Sequence, residues 1–516
     1  MDQRSPGLNR RLSRLSRNSV FLGAEDTVTE FWDRFSRKGR KNVGIWDSLH
    51  AIAVSSWLNI FLVFVPIAWV SHFLHWPKRV TFALSFMAII PLEGLTEWGG
   101  DQMALYLGKD FGDLLIVTCH NAVEATLAII LLLHCEISLL KATIIGVVIL
   151  HLLLVPGAAF ITGGARVLHQ DLHPHLTDLN HSLLALGVLS LMLPAAFFAA
   201  LRGNFDPHGT AEANSEIIND LLRGNILKMS RGVAILLLIM QVISASPSLY
   251  YSADQNYSSY ICSRIYLHNP PGEENHTLHL LATTPEGMKE RERQLSLVEP
   301  SANQYVVLAM LVIVISIMAA TAEWLVKSLQ FARETRDIEV EYVFFVNISR
   351  RLYTEFTSSE RWFGLILLPL VSYAADGTVA IVYFIRRLLK HYFKEPAPVS
   401  TLAKARAIDL SIQFLLFWMP FFVLLGWWTG RPMTLLFDLF EVAIVIGACF
   451  IVNYVTADAK TNWAEGATMV SFYVMIAVCA WYYPGQTETF IMSQCRSVAV
   501  SLASLASGEP LEAEHH

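Results

Sequence analysis

Two short stretches, far apart in the chain, place carboxylates inside apolar surroundings in the same way. Leu95-Thr96-Glu97-Trp98 leads into His120-Asn121-Ala122-Val123-Glu124, and Thr321-Ala322-Glu323-Trp324 leads into Ser372-Tyr373-Ala374-Ala375-Asp376. An ionised carboxylate at the centre of a membrane helix costs about 2.5–3.5 kcal/mol on insertion scales, so a doubled pattern of them points to a cation that offsets the charge. Asn121 lies three residues before Glu124, which puts both side chains on one helix face and lets an amide oxygen join the carboxylate. Tyr373 holds the corresponding place in the second stretch and offers only a bulky phenol.

The elements that must carry these residues are membrane helices. Hydrophobic residues make up 54% of the 516 and charged residues 16%, a balance that a soluble chain could hardly bury. Apolar runs of about 20 residues, the length that crosses a bilayer as a helix, number eleven: 51–73, 80–96, 113–133, 139–161, 181–201, 232–250, 305–329, 362–385, 408–428, 435–456 and 466–483. Setting the first aside leaves five and five around the hydrophilic interval 252–304. Because five is odd, the second set enters the membrane in the opposite sense, as inverted repeats do.

The expectation is therefore an all-α polytopic membrane protein. It divides into a basic tail (1–50), a first helix (51–77), one repeat (78–251), a loop (252–304), a second repeat (305–485) with insertions near 333–361 and 386–407, and a C-terminal tail (486–516). Ten Arg or Lys fall in the first 41 residues with no signal-peptide core, which predicts a cytosolic N-terminus. The basic run Arg386, Arg387, Lys390, Lys394, Lys404 and Arg406 agrees, since an eleven-span path places it on the same side. The six cysteines show no CxxC spacing and predict neither a disulfide framework nor a zinc site. The net charge of −6 gives no reason to expect a nucleic-acid partner; the bilayer is the expected one.

At His120-Asn121-Ala122-Val123-Glu124 the chain resembles the vacuolar cation/proton exchangers of the calcium/cation antiporter superfamily, whose Gly-Asn-x-x-Glu signature it repeats with His for Gly. The resemblance continues through 225–238, 364–369 and Ser411-Ile412-Gln413, and is densest at Gly426-Trp427, Pro432-Met433-Thr434-Leu435, Phe440-Glu441 and 462–466. It implies calcium and protons as substrates, no resident cofactor, an internal acidic membrane such as the vacuolar one, Glu124 as principal ligand and Asp376 as its counterpart. Calcium takes roughly six to eight oxygens, so Asn121 and Gln413 would supply neutral ones. Glu97 and Glu323 would relay protons or complete the site. Burial favours the neutral carboxyl and a divalent ion the charged one, so each site would hold protons or metal in turn. The second signature departs more, with Tyr373 for Asn and the shorter Asp376 for Glu, and predicts that affinity is limited by that half.

Other readings bear on single residues. Lys327, four residues after Glu323, would make a structural ion pair. Glu441 reads as a solvated or capping acid at a helix end. Glu93, near Pro91, is a further intramembrane acid that the repeat does not explain. His169, His173, His175 and His181 form a tract that binds metal in other settings, but Pro174 interrupts their spacing and they fall in an expected cytosolic loop. A transport-inactive scaffold is the rival suggested by the altered second signature, and an intramembrane metal-dependent hydrolase would need those histidines at membrane depth.

Overall fold

The computed structural model describes residues 35, 43–107, 109–164, 170–171, 174–202, 218–245, 300–334, 360–373, 406–458 and 460–507. Nearly all of it is helix. Seven described helices are long and apolar enough to cross a membrane, eight if one bent pair counts as a span, and Ala122–Leu133 and Leu439–Val455 are shorter apolar helices. These are part of the expected eleven spans among the described residues, and the chain beyond Tyr373 in the expected span 362–385 lies outside them.

The first expected span is two elements. Helix α1 (Ile45–Val54) meets a 3-10 turn (Trp57–Val63) running into α2 (Phe64–Phe73) at 90°. The cause is local: Ser56 caps Leu58, and the Asn59 amide donates to the carbonyls of Ile52 and Ala53, taking over groups that a continuing helix would have used.

Helix α3 (Lys78–Leu107) runs antiparallel to α10 (Gln304–Glu334): Tyr106 donates to the Ala302 carbonyl at 2.6 Å, while Gly99 faces Met310 and Leu311 further along. The two motif-bearing helices thus cross in opposite senses. Between them in sequence come α4 (Lys109–His120), α5 (Ala122–Leu133), α6 (Ile137–Ile149), α7 (Val155–Gly164), strand β1 (Gln170–Asp171), α8 (Pro174–Arg202) and α9 (Asp220–Ala245). After α10 follow α11 (Glu360–Trp362), α12 (Leu368–Ser372), α13 (Arg406–Gln413), α14 (Met419–Trp428), α15 (Leu439–Val455), strand β2 (Lys460–Thr461), α16 (Trp463–Trp481), α17 (Thr487–Ser493) and α18 (Val498–Ser507). The strands pair antiparallel, Gln170 with Thr461 and Asp171 with Lys460.

Three five-residue π turns join α6 to α7 (Leu150–Leu154), α11 to α12 (Phe363–Leu367) and α13 to α14 (Phe414–Trp418). Each ends two residues before a proline: Pro156, Pro369 and Pro420. Proline has no N–H and its ring crowds the carbonyl one turn back, so the helix widens there instead of breaking. At two crossings small residues bring backbones together, as membrane helices require. A Cβ on Gly146 would strike the Leu365 carbonyl and Pro369, and Gly157 meets Gly466 across the α7–α16 contact.

Two expectations need correction. His175 and His181 do not lie in a loop: Pro174 opens α8, which carries both, and His181 is bonded to Thr456 at 2.6 Å. His169 and His173 lie outside the described residues. The cysteines do include a disulfide, Cys135–Cys495, joining positions 360 residues apart, a separation at which spacing carries no signal. The expected C-terminal tail carries α17 and α18.

Candidate cation-binding site

The helix that carries the first signature breaks inside it. Asn121, between α4 and α5, has non-helical backbone angles, so α5 begins at Ala122 and Glu124 falls in its first turn. The unpaired N–H groups of a helix start favour negative charge, which lowers the cost of a carboxylate there. Glu124 and Asn121 are both buried, at 3% and 0% exposure.

The second half of the chain reaches this break. Asn121 Nδ2 donates to Gln413 Oε1 at 2.6 Å, and Gln413 Nε2 extends to Thr118 Oγ1 at 3.4 Å. Gln413 is the last residue of α13 before its π turn, so the widened turn begins where the site helix bends. With its amide hydrogen committed to Gln413, the Asn121 side chain presents Oδ1, a buried oxygen with no donor among the described residues. An orphaned buried acceptor is unusual, and a hard cation would satisfy it. The donor set of carboxylate and amide oxygens suits calcium and lacks the thiolate and imidazole that mark zinc sites.

Glu97 approaches from α3. Its Oε1 lies 3.5 Å from His120 Nε2, and His120 Nδ1 lies 2.8 Å from the Ile116 carbonyl, which fixes the ring. Glu93, Glu97 and Asp101 follow at four-residue spacing on one face of α3. Sequence reasoning noted His120 only as a departure from the signature; a histidine one residue before the break carries no spacing signal of its pairing with Glu97.

Glu323 stands elsewhere. Its carboxylate is 2.6 Å from Lys327, and both side chains are nearly half exposed, beside Trp324, which stacks on His72. The structure therefore gives it the ion-pair role and does not join it to Asn121, Gln413 and Glu124. Asp376 lies outside the described residues. The chain is described as far as Tyr373, and the α12 turn just before it packs against α3, α5 and α6, alongside the first motif.

A second buried polar group was missed by the sequence. Lys141, in α6, donates to Thr434 Oγ1, the Leu436 carbonyl and Ser493 Oγ at 2.9–3.0 Å, so all three ammonium hydrogens are used. Nearby, Arg361 binds Asp438 at 2.6 Å and Glu441 at 3.6 Å. Glu441 does cap α15, through a capping box with Asp438, but it is buried and not solvated. Tyr483 donates to Asp438 at 2.5 Å; burial first, then that carboxylate, pushes its phenol above the ordinary range.

This arrangement defines a polytopic helical membrane protein in which buried amides from both halves meet where their helices are interrupted, close in sequence to a buried acid. The chain belongs to the sodium/calcium exchanger protein family, which it matches over residues 78–246 and 304–482. It is 29% identical over 502 residues to a vacuolar calcium ion transporter of Cryptococcus neoformans, covering 87% of this chain and 77% of the relative. It is also 28% identical over 428 residues to a Ca(2+)/H(+) antiporter of Synechocystis, covering 82% and 97%. Among solved structures, native YfkE shares the fold, with a TM-score of 0.54 at 20% identity over 82% of this chain and 100% of that one.

Proposed function

We propose that this chain is a secondary active antiporter that exchanges calcium for protons by alternating access, with Glu124, Asn121 and Gln413 in the cation site. It is a transporter and not an enzyme. The observation that carries the reading is the Asn121–Gln413 bond: it joins the two halves at a helix break and leaves a buried amide oxygen three residues before the buried Glu124. Glu124 would hold either a proton or the metal, and Glu97, 3.5 Å from His120 at the end of α4, would pass protons. Asp376 completes the set from the second half, by the signature it partly preserves. The names of the relatives support calcium and protons as substrates.

The membrane is proposed to be vacuolar, in line with the fungal relatives. The proposal has the N-terminus in the cytosol, which two features support. Val43, which follows the basic segment in sequence, accepts from Asn303 beside the start of α10, and Cys135–Cys495 closes beyond the end of α5. Basic segments favour the cytosol and disulfides favour a lumen.

The test is calcium uptake driven by an imposed proton gradient into vesicles that contain the purified protein. Uptake by the wild type and none by Glu124→Gln supports the reading. Equal uptake by both removes Glu124 from the site, and no uptake by the wild type favours the scaffold.

A further inference from the structure

Residues 486–498 run across one end of the membrane domain and are fastened at several points to different elements. The Gln486 N–H donates to Asp438 at the start of α15 at 2.8 Å, and Ser493 accepts from Lys141 at the start of α6. Arg223, in the first turn of α9, donates to the Gln494 and Arg496 carbonyls at 3.0 and 2.7 Å. Asp220 accepts from the Val498 N–H at 3.1 Å. Ile491, Met492, Val498 and Leu502 pack on Phe198, Ile218, Ile226 and Leu436. Between the two carbonyls held by Arg223 stands Cys495, bonded to Cys135.

Cys135 follows directly on α5, the helix whose first turn carries Glu124. The disulfide therefore joins the far end of the site helix covalently to the strap, and hydrogen bonds hold the strap in turn to α6, α9 and the start of α15. Cys495 is exposed, so the bond is open to solvent. Arg431 lies on it, with Nη1 2.9 Å from Cys135 Sγ and Nη2 3.1 Å from the Leu133 carbonyl. A guanidinium beside a sulfur stabilises the thiolate that leaves when the bond is attacked, and exposed disulfides in such surroundings belong to the exchangeable kind.

We propose that the segment 486–498 is a redox-released strap: with Cys135–Cys495 closed it restrains α5 and slows exchange, and with the bond open it lets α5 move. Closure takes two protons and two electrons from the thiols by exchange with a disulfide of another molecule, which leaves as two thiols. Opening by a dithiol is the reverse, with the dithiol oxidised to its cyclic disulfide and Cys135 and Cys495 each regaining a proton. As it concerns exchange rate, the proposal rests on the antiport reading; release of the strap does not.

The test uses the full chain, purified without reductant and reconstituted in vesicles, with dithiothreitol as the probe. Peptide mapping should find Cys135 joined to Cys495 before treatment and free afterwards. Limited proteolysis should then cut within 486–498 faster in the reduced protein. Reduction, or Cys495→Ser, should raise the maximal calcium uptake rate several-fold and leave the half-saturating calcium within about twofold, because the cation site lies more than two helical turns away along α5. Dithiothreitol should not change Cys495→Ser further. Absence of the joined peptide overturns the proposal, as does an opened bond with unchanged or lower rate. If no form transports, the antiport reading fails, and the proteolysis decides the strap alone: equal cutting of both forms overturns it.

Discussion

In the proposed site Glu124, Asn121 and Gln413 would divide the labour by chemistry. The carboxylate would supply charge and the Asn121 oxygen a neutral ligand, while Gln413 accepts from the Asn121 amide and leaves that buried oxygen open. Gln413→Leu should leave Asn121 Nδ2 buried without an acceptor, at about 1–3 kcal/mol, and free the amide to turn. Half-saturating calcium should then rise several-fold in uptake assays while expression falls modestly; unchanged affinity would show that Gln413 does not position the ligand. His120→Gln should alter the pH dependence of uptake more than its calcium dependence, since it touches Glu97 and not the orphaned oxygen. Two buried polar residues close together, Asn121 and Glu124, were legible from the signature, but the break that leaves Asn121 outside the helix carrying Glu124 was not. The Glu97–His120 and Cys135–Cys495 pairs were not, because each joins positions whose approach depends on how helices pack.

Helix interruptions position the site at the next scale. Asn121 stops α4, and the π turn after Gln413 widens the helix opposite, so both groups sit where backbone geometry departs from regular. The three prolines were visible in the sequence, but their common offset from a π turn emerges only from the backbone. Close approach of α6 to the α11–α12 segment depends on Gly146. Gly146→Ala places a methyl against the Leu365 carbonyl, and overpacking of this kind costs about 1–3 kcal/mol. A fall in the thermal midpoint of the detergent-solubilised protein is expected, and an unchanged midpoint would mean that the crossing relaxes without strain. Apolar runs revealed most spans to within a few residues, yet not the right-angled turn before Trp57, which Asn59 makes by capturing the carbonyls of α1.

Across the whole molecule, the two halves differ in their signatures. The first keeps its signature with one change, whereas the second offers Tyr373 and Asp376 in place of an amide and a longer acid. Restoring Tyr373→Asn with Asp376→Glu should therefore tighten calcium binding or change cation preference, by adding an amide oxygen and extending the carboxylate. Loss of uptake in the restored protein would show that the altered half is adapted to its own geometry. The doubled motif was the most legible global feature, since repeats are written in sequence, and the i,i+4 spacing of Glu323 and Lys327 made their ion pair legible as well. The central claim, that one buried site alternately holds calcium and protons, is tested most directly by recording calcium entry and proton exit in the same vesicles with the membrane voltage clamped. The account predicts that calcium entry expels protons in fixed proportion, that collapsing the proton gradient stops net uptake against a calcium gradient, and that Glu124→Gln abolishes both fluxes together. Calcium entry that continues with no proton exit, or that survives Glu124→Gln, would contradict it.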